Sequence, residues 1–369
     1  MIANQGSTSS KIIELESIRG IAALLVFLHH IPNWNNEIFG LSILRNAHLM
    51  VDLFFVLSGY VIYVSYGQKI NSIKDALHFQ FLRFGRLYPV HLVVLSGFFL
   101  AEIAKYFAIS EYGITFGRPA FENFTFENTF ANVLLVQDFG FFSNTWSING
   151  PSWSIGIEFY IYLLFAIIGV FLPRIKLLIF TLLFLSSTIF LFTANQATYD
   201  IYSNILRGGA GFFLGCLTAA CSNKLNLNNS KLSSAIQYVG IFFVIIFLLF
   251  KPPSRQFDML IYGLSATLII TIVHGIDNPF KKFLRNRLLV ELGKISYSLY
   301  MCHMLIIWTV SNSLQFVFDK FLNVSSVLKF SLAYLATFLI TICISFILFN
   351  FVEQPSRLKS RKVALKLFN

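Results

Sequence analysis

Arg19 and His30 stand eleven residues apart in an otherwise apolar segment running from Ile18 to Ile31. On an α-helix, eleven steps of roughly 100° return the second side chain to within about 20° of the first, with a rise of roughly 16 Å. The guanidinium and the imidazole therefore share one face. Ionisable side chains within an apolar, membrane-spanning segment are costly and mark functional pathways. A guanidinium fork suits phosphate oxygens, whereas a neutral, buried imidazole is a usable general base. Their separation approaches the reach of a pantetheine arm from pyrophosphate to thioester, somewhat under ~20 Å from covalent dimensions. One helix would thus address both ends of an acyl-coenzyme A. His29 is rotated about 100° from His30 and ranks second.

Further polar residues sort by depth into two groups. Arg83 and Arg86 lie three apart and can share a helical face with Arg19 at their level, an arrangement suited to the diphosphate and 3′-phosphate of coenzyme A. Interfacial anchoring is the competing reading of this pair. Asp52 and Glu158 lie with His30 in the other half, and either would supply a carboxylate that fixes the imidazole tautomer. Taken singly, each also reads as an inter-helix hydrogen bond. Ser58, in a Leu-Ser-Gly sequence, reads as close helix packing rather than a nucleophile, and His303 as either a site-lining group or an inter-helix bond.

These residues must be carried by membrane helices. The chain of 369 residues is 56% hydrophobic and 17% aromatic but only 12% charged, with a mean hydropathy of +0.70. Soluble domains carry about 25% charged residues. The expected fold is therefore all-α, a polytopic integral membrane protein with about ten transmembrane helices. The spans are expected near 15–33, 50–67, 86–107, 152–172, 175–193, 203–221, 235–250, 258–275, 294–311 and 327–352. The long connection 108–151 is rich in aromatics, and 126–136 within it reads as a short interfacial or re-entrant helix. Residues 1–10 form a polar tail without the features of a removable signal peptide, 11–356 the membrane domain and 357–369 a basic tail.

The net charge of +11 follows membrane topology, not nucleic-acid binding. One alternating set of loops and tails, including Lys11, Lys224 and Arg287, holds nineteen Lys and Arg; the opposite set holds eight, Arg207 among them. The positive-inside rule then places both termini in the cytoplasm. Cys216, Cys221, Cys302 and Cys343 fall in predicted spans with no zinc-like Cys/His spacing, so neither disulfides nor a metal are expected.

A set of ordered motifs resembles membrane acyltransferase family 3, bacterial integral-membrane O-acyltransferases that modify envelope glycans and some small molecules. They are Glu16-Ser-Ile-Arg19-Gly20 with His30 ten intervening residues on, then Val51-Asp52-Leu-Phe-Phe-Val-Leu-Ser58-Gly59-Tyr60, and Arg83-Phe-Gly-Arg86-Leu-Tyr88-Pro89. Next come Trp153-Ser154-Ile-Gly-Ile-Glu158-Phe-Tyr160, Ile295-Ser296-Tyr297-Ser298-Leu-Tyr300-Met-Cys-His303 and Glu353-Gln-Pro355. One departure is Gly156-Ile157-Glu158, where members often carry Ser-Val-Glu.

The resemblance implies ten helices, a cytoplasmic acyl-coenzyme A donor, most often acetyl-CoA, and an acceptor hydroxyl on a saccharide or lipid-linked saccharide at the bacterial inner membrane. It implies His30 as catalytic histidine, Arg19 as its motif partner, Arg83 and Arg86 as the donor-binding pair, and acidic motif roles for Asp52 and Glu158. Trp153, Ser154, Tyr160 and His303 are the expected acceptor-side groups. A transporter or flippase for a lipid-linked saccharide is the alternative, weakened by the absence of an evident internal repeat.

Overall fold

The computed structural model describes residues 12–31, 41–140, 147–222, 230–252, 254–321 and 325–368. The expected N-terminal tail, with Lys11, and Lys224 lie outside the described residues. Among those described, the chain is all-helical and contains no strand. The principal helices are α1 (Ile13–His30), α2 (Met50–Tyr66), α3 (Ile73–Tyr112), α4 (Phe126–Leu134), α5 (Ser152–Phe171) and α6 (Lys176–Thr193). They continue with α7 (Gln196–Ser222), α8 (Ser230–Phe250), α9 (Leu260–His274), α10 (Arg287–Ile306), α11 (Ser326–Leu348) and α12 (Gln354–Leu367).

Seven helical stretches among the described residues are long and apolar enough to cross a membrane: those containing α2, α3, α5, α6, α7 and α9, and the run from α11 through α12. α1, α8 and α10 occupy the other three expected spans. α1 carries Glu14, Glu16 and Arg19 within its 18 residues, and the apolar part of α8 is the short stretch Ser234–Phe250. α10 is interrupted by Lys294, Ser296, Tyr297, Ser298, Tyr300 and His303. The three helices that fall short are the short one and the two that carry most polar chemistry.

Two boundaries differ from expectation. α3 begins well before residue 86, because Ser72 caps it by accepting from the Asp75 amide at 3.1 Å. The basic tail from 357 is not a loose segment. α11 passes through a π-helical turn, Phe349–Glu353, into α12, whose Pro355 sits in the first turn where no amide donor is needed. Short helices of this kind often mark functional sites, and this one directs Glu353 inward, 2% exposed.

Glycines set the closest helix crossings. An added Cβ on Gly20 of α1 would meet the backbone of Gly293 in α10, and one on Gly293 would meet the Glu16 carbonyl. The same holds between α2 and α7, where Gly59 faces the Phe212 carbonyl and Gly215 faces the Val56 carbonyl. Small residues at such crossings let backbones approach when apolar burial gives no drive between helices in lipid. The start of α1 is also fixed by Arg285, which pairs with Glu14 at 2.6 Å and Asp277 at 2.8 Å.

The stretch 126–136 does form a short helix, α4, closed by Leu135 in the left-handed region at φ 61°. Its last carbonyls are met by side chains of the bundle: Tyr88 donates to Val133 at 2.9 Å, His91 Nε2 lies 2.9 Å from the Asn132 carbonyl, and Tyr160 donates to Leu134 at 2.8 Å. The segment therefore reaches in to residues 88–91 of α3. Gly156 is explained here, because a Cβ at that position would stand 2.5 Å from the Leu135 carbonyl oxygen.

Replacing Gly59 or Gly215 by leucine is expected to remove folded protein from the membrane, since overpacking against backbone exceeds the usual ~1–3 kcal/mol for side-chain crowding. Gly263→Ala, with nothing within 4 Å of an added Cβ, should leave abundance unchanged. Fluorescence-detected size exclusion of detergent extracts reads both.

Candidate active site

At the end of the bundle where α1 begins lies a cavity of about 430 Å³. Five elements supply its cations: Arg19 from α1, Lys69 beyond α2, Arg83 and Arg86 from α3, Lys294 from α10, and Arg357 and Arg361 from α12; Glu16 and Glu353 supply the carboxylates. Lys294 is paired with Glu291 at 2.8 Å; the other six cations share two acids, and their mutual repulsion favours an anion among them. Arg83 lies over the rings of Tyr66, Phe79 and Tyr162 at 5.4, 5.5 and 6.0 Å, which holds a guanidinium without neutralising it. The Nε atoms of Arg83 and Arg86 are buried without a hydrogen-bond partner among the described residues. Glu353 accepts from Ser298 at 2.7 Å and lies 3.5 Å from Arg357.

A smaller chamber of about 40 Å³ adjoins this cavity and shares Arg19, Ser296 and Tyr297 with it. Its remaining wall includes Phe54, Phe55, Ser154, Glu158 and Tyr300. Ser154 Oγ is 2.7 Å from the Tyr300 hydroxyl. Glu158 accepts from Ser58 Oγ at 2.5 Å and from the Tyr162 hydroxyl. Ser58 is thus a partner of Glu158 and Tyr162, and its hydroxyl is committed to that cluster.

Farther along α1, His30 faces His303 of α10, with ring centroids 5.1 Å apart. The bonding pattern assigns both neutral tautomers. His303 Nδ1 is 2.7 Å from the Tyr300 carbonyl and 3.3 Å from that of Leu299. A carbonyl only accepts, so Nδ1 carries the proton and Nε2 the lone pair. His30 Nδ1 is 2.8 Å from the Val26 carbonyl and 3.4 Å from His303 Nε2, two acceptors that together place its proton on Nδ1. The Nε2 of His30 is therefore the basic nitrogen. His29 lies beside it at 5.0 Å between ring centroids and His48 beyond at 5.6 Å.

The expected carboxylate partner of His30 is not what the bundle provides. Asp52 is engaged by Arg207 of α7 in a bidentate pair at 3.0 and 2.7 Å and by the Tyr262 hydroxyl at 3.0 Å. Arg207 also lies over Trp153 at 5.0 Å. Asp52 is 2% exposed and the Arg207 side chain 20%, so the carboxylate is buried and its oxygens are bonded. Glu158 belongs with the arginine-lined chamber, sharing its wall with Arg19. Tyr160 is spent on the Leu134 carbonyl, whereas Ser154 lines the chamber and His303 meets His30.

Sequence reasoning counted Arg207 as a loop cation and Arg357 and Arg361 as tail. The available signal is an arginine inside the span 203–221 that needs an acid, with Asp52 read instead as a carboxylate for His30. Tyr300 and Glu353 lay within motifs whose chemistry was not read.

Comparison with known proteins defines the class. A model of the acyltransferase domain of family 3 matches residues 12–350, and the chain belongs to this family. It is similar to the O-acetyltransferase OatA of Staphylococcus aureus, 27% identical over 376 aligned positions covering 94% of this chain and 57% of that protein. A protein of Acidianus two-tailed virus, open reading frame 330, named for acetyltransferase activity, is 25% identical over 299 positions, 79% of this chain and 82% of its own length. Protein 2 of the picA locus of Rhizobium radiobacter is 37% identical over 92 positions, 24% of this chain and 45% of that protein. The chain thus spans about half the length of two of these three relatives. No solved structure matches it.

The Asp52–Arg207 pair yields a stability test. Asp52→Ala leaves a partly buried guanidinium without its carboxylate and is expected to destabilise, by less than the ~3–5 kcal/mol of a fully buried pair, read as a drop in melting temperature of the detergent-solubilised protein. The double variant Asp52→Ala, Arg207→Ala should recover part of that loss. A double variant no more stable than the sum of the singles would show that the two charges do not act as a pair.

Proposed function

We propose that the protein is an O-acyltransferase, most simply an O-acetyltransferase, that moves an acyl group from cytoplasmic acyl-coenzyme A to a hydroxyl of an envelope saccharide. The observation that carries this reading is a polycationic cavity and a neutral histidine pair on the same two helices, α1 and α10, separated by the length of a pantetheine arm. Family membership supports acyl transfer, and the name of the staphylococcal relative supports an acetyl group and an oxygen acceptor. The helices α1, α8 and α10 complete ten spans in this reading, with both termini and the cationic cavity at the cytoplasmic face of a bacterial inner membrane.

Arg19, Arg83 and Arg86 hold the donor phosphates, and the thioester extends through the small chamber toward His30. His30 Nε2 removes the proton of the acceptor hydroxyl as that oxygen attacks the thioester carbonyl. The tetrahedral intermediate collapses with cleavage of the C–S bond, and Nε2–H returns the proton to the departing thiolate. His303, with its own proton fixed on backbone carbonyls, accepts from His30 Nδ1–H and keeps Nε2 the basic nitrogen throughout. The hydroxyls of Ser154 and Tyr300 line the chamber, where they bond each other and the Pro151 carbonyl and fix its wall. Asp52 supports the site by fixing α2 to α7.

Envelope glycans from cells carrying wild type, His30→Ala at matched membrane abundance, or no protein are compared by NMR. O-acetyl signals are expected with wild type alone; equal signals from His30→Ala would overturn the role of His30. His303→Gln is expected to lower turnover about 10- to 100-fold with donor KM unchanged. A change in KM alone would assign His303 to binding instead.

A further inference from the structure

The wall of the cationic cavity supplied by α12 has no role in the donor grip assigned to Arg19, Arg83 and Arg86. α12 is built against α3, not appended to it. Gly85 of α3 faces Ser360 so closely that a Cβ there would collide with it, and Phe368 stacks on His78 with ring centroids 5.5 Å apart and planes inclined at 14°. The two helices therefore run antiparallel. This register sets the cavity cations in two tiers about one helical turn, roughly 6 Å, apart. Arg86 and Arg357 lie in the tier nearer Glu353, and Arg83 and Arg361 in the tier nearer the mouth, where Lys69 also lines the wall.

We propose that Arg361 of α12 forms, with Arg83 and Lys69, a dedicated subsite for the 3′-phosphate of coenzyme A, while the inner tier takes the diphosphate. This rests on the donor reading above. The chemistry fits because both phosphate groups leave the same ribose, at its 3′ and 5′ oxygens, and so present two clusters of negative charge a few bonds apart. Two tiers of guanidinium forks match two phosphate groups, whereas a lipid headgroup with one phosphate would occupy only one. Arg361 is exposed at the mouth, so its replacement leaves the packing of α12 on α3 through Ser360 and Phe368 intact.

The test needs no acceptor. Binding of coenzyme A, 3′-dephospho-coenzyme A and pantetheine to the full chain in nanodiscs is measured by calorimetry. Wild type is expected to bind coenzyme A about tenfold more tightly than the 3′-dephospho form. Arg361→Ala should bind the two equally, and Arg361→Lys should retain part of the preference. An Arg361→Ala variant that keeps the full wild-type preference, or a wild type with none, overturns the subsite while leaving the donor reading standing. A wild type that binds coenzyme A no better than pantetheine overturns both.

Discussion

Gly20 and Gly293 let α1 and α10 touch backbone to backbone, and the rest of the site depends on that contact. Two helices separated by ordinary side chains lie about 8–10 Å apart, whereas these glycines admit direct backbone contact. Brought closer, α10 runs its polar residues Ser296, Tyr297, Tyr300 and His303 beside the face of α1 that carries Arg19 and His30. The cavity and the chamber adjoin along this seam, and the histidine pair lies farther along the same two helices. The polar residues that keep α1 and α10 from being strongly apolar spans are the ones this seam uses.

Charge within the bundle is handled in two different ways. Arg207 and Asp52 pair with each other and Asp52 is further bonded by Tyr262, so the carboxylate is used within the bundle and joins α2, α7 and α9. The cations of the large cavity are held by aromatic faces and by two acids, with guanidinium Nε atoms left unbonded. The contrast between a closed pair and an open cluster separates architecture from binding without reference to any relative.

Much of this was legible in the sequence, for a physical reason. The cost of placing a charge in an apolar segment makes Arg19, His30, Arg83 and Arg86 conspicuous, and helical periodicity alone assigns the first two to one face. Partner choice was not legible. Glu158 bonds Tyr162 and Ser58, the latter six residues along α2 from Asp52, whose partner is Arg207, so the two acids differ in depth as well as in facing. Rotation is set by contacts such as Gly59 on Phe212 and Gly215 on Val56, and no local pattern encodes these. The basic run after residue 356 has the composition of a solvated tail. Only the seating of Ser360 on Gly85 makes it a wall of the cavity.

The distance between the cationic cavity and His30 satisfies two demands at once. In the proposed reaction, general-base catalysis requires His30 to become an imidazolium transiently, and every nearby guanidinium opposes that. At an effective dielectric of about 20, a unit charge about 6 Å away would raise the energy of the imidazolium by about 3 kcal/mol, whereas at about 16 Å the penalty falls to about 1 kcal/mol. Several arginines close to the base would thus stop the chemistry they were meant to serve. A donor whose anionic handle lies an extended arm away from its reactive carbonyl lets the protein grip with many cations and still keep a usable base. A neutral partner, His303, is consistent with the same balance, because it orients the base without contributing a charge of its own.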